Sequence, residues 1–138
     1  MIIFRKASDL TQIRNFCSNS KMMKCITSNP LLKENQLKGL KVSEVPIPEY
    51  DKKREVLIKV EACGVNRSDL FYVMDGAGSF GLEVSGFIVD PYTGKTTDRK
   101  VMALLPGGGF AQYAKVNKDH VMDIPNGLDF VQAASIPN

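Results

Sequence analysis

The stretch that decides the fold is Val56-Leu57-Ile58-Lys59-Val60-Glu61-Ala62, followed after Cys63 by Gly64-Val65-Asn66-Arg67-Ser68-Asp69-Leu70. The first run alternates as a β-strand does, with Val56, Ile58, Val60 and Ala62 on one face and Leu57, Lys59 and Glu61 on the other. The second run predicts a short helix from Asp69 to Met74, because the side chain of Asn66 or Ser68 can accept hydrogen bonds from free N–H groups in its first turn. Asp75-Gly76 and Gly78 are predicted to end this helix.

Short strands punctuated by Gly and Pro recur along the rest of the chain. Further strands are predicted at residues 40–45, 84–89, 100–105 and 110–116, with a turn from Asp90 to Gly94. Asp129 followed by Gln132 is typical of a capping box that begins a second short helix. Many short strands and two short helices predict a mainly β fold, a barrel or a sandwich.

Size and charge exclude several classes of protein. A chain of 138 residues is about one domain, and no apolar stretch approaches the roughly 18 to 20 residues that span a bilayer. The formal charge is +3, but residues 1–22 hold four basic residues against one acidic residue, so the rest of the chain is neutral. The sequence therefore predicts neither membrane insertion nor a nucleic-acid-binding surface.

The first 22 residues differ from the rest. Residues 1–22 are predicted to be an N-terminal extension and residues 23–138 the domain. The extension is basic, contains Ser and is amphipathic, which is typical of a mitochondrial presequence; the alternatives are an unstructured extension or a start codon placed too early. The predicted location is intracellular and cytoplasmic, with mitochondrial as the alternative.

The three cysteines, Cys17, Cys25 and Cys63, are widely spaced and form neither a disulfide framework nor a zinc cluster. This usage indicates a reducing compartment. Cys63 lies within an apolar run, which predicts a buried, inert thiol.

Seven segments in one order carry a family resemblance. They are residues 45–48, 55–60, 64–69, 81–86 (Gly-Leu-Glu-Val-Ser-Gly), 101–105, 107–113 (Gly-Gly-Gly-Phe-Ala-Gln-Tyr) and 132–137. With them the chain resembles the N-terminal GroES-like catalytic domain of the quinone oxidoreductase branch of the medium-chain dehydrogenase/reductase superfamily, in the subgroup that includes the p53-inducible quinone oxidoreductase. The resemblance implies a GroES-like, partly open β-barrel with two short helices.

The resemblance also implies an activity without metal. Zinc-dependent members carry Cys and His ligands where this chain has Asn66 and Leu82, and neither an amide nor an alkyl chain can replace them around tetrahedral zinc. The expected reaction is a zinc-independent hydride transfer from NADPH to a small-molecule quinone or enone, which needs the cofactor, a proton and close positioning.

Five residues are the predicted site. By resemblance Asn66 is catalytic and contacts the nicotinamide-ribose end of NADPH, although it can serve as a helix cap at the same time. Asp69 either orients that catalytic cluster or completes the first helical turn. Arg67 either binds cofactor phosphate or forms a surface ion pair, and Phe71 and Tyr72 either line the substrate pocket or pack in the core.

Three other features are given structural interpretations. Glu83 is predicted to be semi-buried beside Gly81 and Gly86. Gly107-Gly108-Gly109 lacks the residues of a phosphate loop, so a close backbone approach is expected there. His120 is predicted to be a surface or packed histidine rather than a catalytic base.

Departures from the family limit the expected function. Compared with the family, the pocket loop between the helix and Gly81 is short, and the segment of residues 90–100 has fewer residues. The sequence therefore does not fix the strand register in that segment. No Gly-x-Gly-x-x-Gly follows a strand, so we expect that the Rossmann domain is absent and that the catalytic domain is truncated. The isolated chain is then expected to bind NADP(H) only weakly and to lack activity. The alternatives are a non-enzymatic GroES-like binding or regulatory module and an enoyl-type double-bond reductase. Self-association is expected through the face that a Rossmann domain normally covers.

Overall fold

The computed structural model describes residues 21–28, 39–74 and 80–137, with the backbone alone for residues 72–74. The strands are β1 (Met22–Thr27), β2 (Lys41–Pro46), β3 (Glu55–Cys63), β4 (Glu83–Val89), β5 (Thr96–Leu104), β6 (Tyr113–Asn117) and β7 (Val121–Asp123). The helices are α1 (Arg67–Met74) and α2 (Phe130–Ala133), with a 3₁₀ turn at Lys118–His120. The predicted extension, residues 1–22, lies outside the described residues except for its last two.

Five strands form one antiparallel sheet in the order β6-β3-β4-β5-β7. The sheet curls into a half-barrel, and its concave face carries the main hydrophobic cluster: Ile58, Val84, Ile88, Val101, Ala103, Leu105, Ala114 and Val116. Val56 and Val60 pack against this cluster, as the alternation in β3 predicts. The prediction of a mainly β, GroES-like half-barrel with two short helices is confirmed.

A separate two-stranded sheet, β1 with β2, is attached to the half-barrel by backbone hydrogen bonds. The Ile26 N–H donates to the Phe110 carbonyl at 2.8 Å, and the Gln112 N–H donates to the Lys24 carbonyl at 3.0 Å. Gln112 also links the two sheets, because its own carbonyl accepts from the Val60 N–H at 2.9 Å. The segment 110–112 therefore joins the hairpin to β3.

The convex face of β4 is covered by α2. The predicted capping box is confirmed: Asp129 accepts from the Gln132 N–H at 2.8 Å, and the Gln132 side chain accepts from the Asp129 N–H at 3.1 Å. The helix is held by the Ser85 hydroxyl, which donates to the Phe130 carbonyl at 2.5 Å. Phe87 packs edge-on against the Phe130 ring, with centroids 4.9 Å apart. Tertiary contacts thus fix a helix that is too short to be stable alone.

The structure corrects several strand bounds. Strand β5 begins at Thr96 rather than near Lys100, and β6 begins at Tyr113 rather than Phe110, because residues 110–112 bind the hairpin instead. Strand β7 was not predicted, since three residues are too short for alternation to show. Next to the shortened segment 90–100, the pairing of β4 with β5 shifts register between Phe87 and Val89. None of the described helices is long and apolar enough to cross a membrane.

Candidate functional site

Asn66 is the N-cap of α1. Its Oδ1 accepts from the Ser68 N–H at 3.0 Å, and its carbonyl accepts from the Asp69 N–H at 3.1 Å, so the cap predicted from the sequence is confirmed. The Oδ1 bond fixes which way the Asn66 amide is turned, because an Nδ2 group in the same place would face the Ser68 N–H, which is also a donor. The half-buried Asn66 Nδ2 group has no hydrogen-bond partner within the described residues. It is therefore available to donate to a ligand.

The carboxylate of Asp69 joins two loops. It is buried, with 4% of the residue exposed, and each oxygen accepts one backbone hydrogen bond. Oδ2 accepts from the Asn66 N–H at 2.8 Å, and Oδ1 accepts from the Gly81 N–H at 3.0 Å. Asp69 therefore completes the first helical turn and also positions Asn66 against the loop before β4; its predicted catalytic role stays a prediction.

Gly81 connects that loop to the Gly-rich segment. Its φ of +86° is a left-handed conformation that favours glycine, and a Cβ there would lie 2.5 Å from the Phe110 backbone nitrogen. The Gly81 carbonyl accepts from the Gly109 N–H at 2.9 Å, and the Phe80 carbonyl accepts from the Phe110 N–H at 3.1 Å. The close backbone approach predicted for Gly107–Gly109 is confirmed, with Gly81 as its partner.

Glu83 lies beneath the loop that carries Asn66. It is buried at 4% exposure, more deeply than the semi-buried position predicted. A Cβ on Gly64 would lie 2.6 Å from the Glu83 Cγ, and the Gly64 N–H donates to the Glu83 carbonyl at 3.2 Å. Glycine at position 64 is thus needed because the Glu83 side chain fills the space beside it.

Several residues that flank Asn66 in sequence are exposed. Arg67, the first residue of α1, is exposed and forms no ion pair with a described residue. Phe71 is 59% exposed, which places it at the surface rather than in the core, and Val65 and Leu70 are 84% and 47% exposed. Tyr72 belongs to α1, but its side chain lies outside the described part of the chain. Asn66, Asp69, Arg67 and Phe71 therefore share the cap and first turns of α1, with Asp69 buried and Arg67 and Phe71 exposed.

Cys63 corrects a prediction. It is exposed rather than buried, because it is the last residue of β3 and the chain leaves the sheet after it. Partial desolvation of its sulfur and, next, the negative charge of Asp69 raise the pKa of the Cys63 thiol above its ordinary value. The thiol is therefore protonated at neutral pH and does not fit the role of a catalytic nucleophile.

The two positions where a zinc-dependent relative would have ligands hold Asn66 and Leu82, and Leu82 is buried at 8% exposure. Among the described residues, no group of three or more His, Cys, Asp or Glu side chains could hold a metal ion. A neutral amide and an alkyl chain are a poor match to the thiolate and imidazole ligands of tetrahedral zinc.

Residues 52–126 match the family model of the alcohol dehydrogenase GroES-like domain. The chain belongs to this GroES-like domain family. It is 38% identical to the quinone oxidoreductase of Sus scrofa in an alignment of 104 positions that covers 67% of this chain and 30% of that protein. This GroES-like domain thus spans less than a third of the length of that curated relative.

The similarity to solved structures covers 83% of this chain. The quinone oxidoreductase from Thermus thermophilus, solved also in complex with NADPH, is 29% identical with a TM-score of 0.66, over 37% of its own length. The human synaptic vesicle membrane protein VAT-1 homolog-like protein is 25% identical with a TM-score of 0.69, over 39% of its length. The family resemblance predicted from the seven segments is confirmed.

Sequence reasoning missed two parts of the site. It did not find the Gly81 N–H as the partner of Asp69, although Gly81 begins the Gly-x-Glu-x-x-Gly segment and so carries a signal for a special backbone position. It also did not find Ser85 as the anchor of α2. A serine between buried apolar residues in β4 was the available signal, because a buried hydroxyl needs a partner.

Proposed function

We propose that this domain forms the substrate-side half of an NADPH-dependent, zinc-independent quinone oxidoreductase site. The observation that carries the proposal is the Asn66 amide, whose Oδ1 is bound to the Ser68 N–H at 3.0 Å while its Nδ2 has no described partner. The similarity to quinone oxidoreductases, one of them solved with NADPH, supports the same activity.

The residues present fit a reduced nicotinamide. When bound, that cofactor supplies the hydride, and the quinone takes up two electrons and is protonated to the hydroquinone. Asn66 offers an uncharged donor, which suits the neutral hydroxyl and amide groups near a nicotinamide and leaves no buried charge. Asn66 is half-buried, and the exposed Phe71 ring on the same helix offers an apolar surface against which a planar substrate can lie.

The other predicted residues take supporting roles in the proposal. Asp69 orients the Asn66 loop through backbone N–H groups and acts as a positioning residue. Arg67, which forms no ion pair within the described residues, supplies a guanidinium that can pair with a cofactor phosphate. Phe71 forms one wall of the substrate pocket, and the same role for Tyr72 stays a prediction. We propose that Val65 and Leu70 belong to the apolar surface through which the chain associates with itself.

Residues 22–137 can be tested in a chimaera that replaces the matching part of the Thermus thermophilus quinone oxidoreductase. We expect it to oxidise NADPH when a benzoquinone is added, and Asn66→Ala to lower kcat/KM about tenfold, the upper range for one neutral hydrogen bond. Lys95→Ala, on an exposed turn, is the matched control. The 138-residue chain alone is expected to show little turnover.

Two outcomes would count against the proposal. A chimaera that folds, judged by cooperative thermal unfolding, yet gives no quinone-dependent NADPH oxidation would favour a non-enzymatic module. Preference for an enoyl thioester over quinones would favour the enoyl-type reductase instead.

A further inference from the structure

A cavity lies at the seam of the half-barrel, and Asn66 does not line it. Its volume is about 540 Å³, within the range of roughly 300 to 1,000 Å³ that is usual for small-molecule sites. It opens where the end of β5 approaches β6, two strands that are not neighbours in the sheet. The curl of the sheet brings them together, and the incomplete closure of the barrel leaves the space.

The cavity has an apolar part and a polar rim. The apolar part includes the exposed Leu104 and Pro106 and the buried Leu105 and Val116. The rim carries Glu55, Lys115, Asn117 and His120. A ligand that fits both parts needs an apolar body with a polar group at one end.

The hydrogen bonds of the rim decide which polar group fits. The Asn117 Oδ1 is already bound to the Asp119 N–H at 3.0 Å, and one Glu55 oxygen is bound to the Asp51 N–H at 2.8 Å. The donor groups have more remaining capacity. Lys115 Nζ donates one hydrogen bond, to the Glu49 carbonyl at 3.0 Å, and an ammonium group has two further N–H groups. Among the described residues, Asn117 Nδ2 and the His120 ring have no hydrogen-bond partner. The free groups are mostly donors, so the ligand should be rich in acceptors.

We propose that this seam cavity binds a small carboxylate with an apolar body, such as an aromatic or branched aliphatic acid. The carboxylate lies against Lys115 and Asn117, and the apolar body lies on the exposed Leu104 and Pro106. Lys115 provides the charge attraction, and Glu55 weakens it because it carries the opposite charge on the same rim. None of Asn66, Asp69 and Arg67 lines this cavity. The proposal therefore does not depend on the proposed reductase activity.

The test is a titration of the full chain, followed by ¹⁵N–¹H NMR, with benzoate, benzamide and benzylamine at constant ionic strength. Benzoate should bind with saturation in the low millimolar range, on the order expected for so small a ligand, and shift the amides of Leu104, Leu105 and Asn117. Benzamide should bind several-fold more weakly, and benzylamine should bind weakest. Equal binding of benzylamine and benzoate, shifts centred on Asn66 and Phe71, or no saturation would overturn the proposal.

Three variants sharpen the test. Lys115→Gln should weaken benzoate about fivefold, the size of one partly exposed ion pair, whereas Lys95→Gln removes the same charge outside the cavity and should change little. Glu55→Gln should strengthen binding, and Leu104→Trp should block it by filling the cavity from a position that is 38% exposed. Equal effects of Lys115→Gln and Lys95→Gln, with thermal unfolding unchanged in both, would show only a general charge effect and would overturn the proposal.

Discussion

Asp69 accepts a hydrogen bond from the backbone N–H of Gly81 at 3.0 Å, across twelve positions of sequence. With its other oxygen on the Asn66 N–H, the same carboxylate fixes the start of α1 to the loop before β4. The position of Asn66 in the candidate site therefore depends on a buried side chain that need not touch the substrate.

Replacement of Asp69 should destabilise the fold. Asp69→Asn keeps the size of the side chain but turns one acceptor oxygen into a donor, so the N–H of either Asn66 or Gly81 is left facing an NH₂ group. We expect a loss of about 1 to 3 kcal/mol in the free energy of unfolding, the usual cost of an unsatisfied buried group. Chemical denaturation measures this, with the exposed Asp98→Asn as control. Equal stability of the two variants would contradict the finding.

Substitution of two glycines with positive φ distinguishes the cost of backbone strain from the cost of steric conflict. Gly94 has φ +67° and nothing within 4 Å of the place where a Cβ would stand, whereas at Gly81 (φ +86°) a Cβ would meet the Phe110 nitrogen at 2.5 Å. Gly94→Ala should cost about 1 kcal/mol of conformational strain. Gly81→Ala should cost at least about 1 kcal/mol more, because two backbone segments must also move apart. Thermal unfolding of both variants gives the comparison, and similar losses would show that the Gly81–Phe110 approach is not tight.

The Ser85 hydroxyl should hold α2 on the sheet. Ser85→Ala removes the donor to the Phe130 carbonyl at 2.5 Å, at a fully buried position, and should destabilise the chain by about 1 to 2 kcal/mol. Ser135→Ala is the matched control, since its hydroxyl also donates to a carbonyl but is exposed. Hydrogen exchange should rise at Phe130–Ala133 in the Ser85 variant. Unchanged exchange there would mean that the ring contact with Phe87 suffices.

Asp90 should contribute to acid sensitivity. Hydrogen bonds from the backbone N–H groups of Thr93 and Tyr92 lower the pKa of Asp90 below its ordinary 3.8. A lowered folded-state pKa means that this stabilisation is present above pH 3.8 and is lost as the pH falls through the folded-state pKa. The stability difference between the chain and Asp90→Asn should therefore shrink below about pH 4. Thermal unfolding across roughly pH 2 to 7 tests this; a difference that does not change with pH would contradict it.

Cys63 should react slowly despite its exposure. Since partial desolvation and Asp69 raise the pKa of the thiol, little thiolate is present at neutral pH, and alkylation should be slower than in a free cysteine peptide. Mass spectrometry of iodoacetamide adducts measures the rate at Cys63, with Cys63→Ser as control. A rate above that of the peptide would indicate a lowered pKa instead.

Local patterns in the sequence were sufficient for the local structure. The alternation in β3, the Asn66 cap, the Asp129–Gln132 capping box and the approach of Gly107–Gly109 were all predictable, because each depends on residues a few positions apart or on glycine's backbone freedom. The metal-free character proposed for the site also follows from residue types at two positions, Asn66 and Leu82.

Tertiary structure alone decided the rest. The bond from Gly81 to Asp69, the exposure of Cys63, the brief strand β7 and the seam cavity between β5 and β6 all depend on how segments distant in sequence come together. Sequence periodicity reports which face of a strand is apolar, but it does not report which distant strands meet or where a barrel stays open. The sequence by itself determined the family and most of the strands, because each is a local pattern, and the packing of distant segments determined what surrounds Asn66.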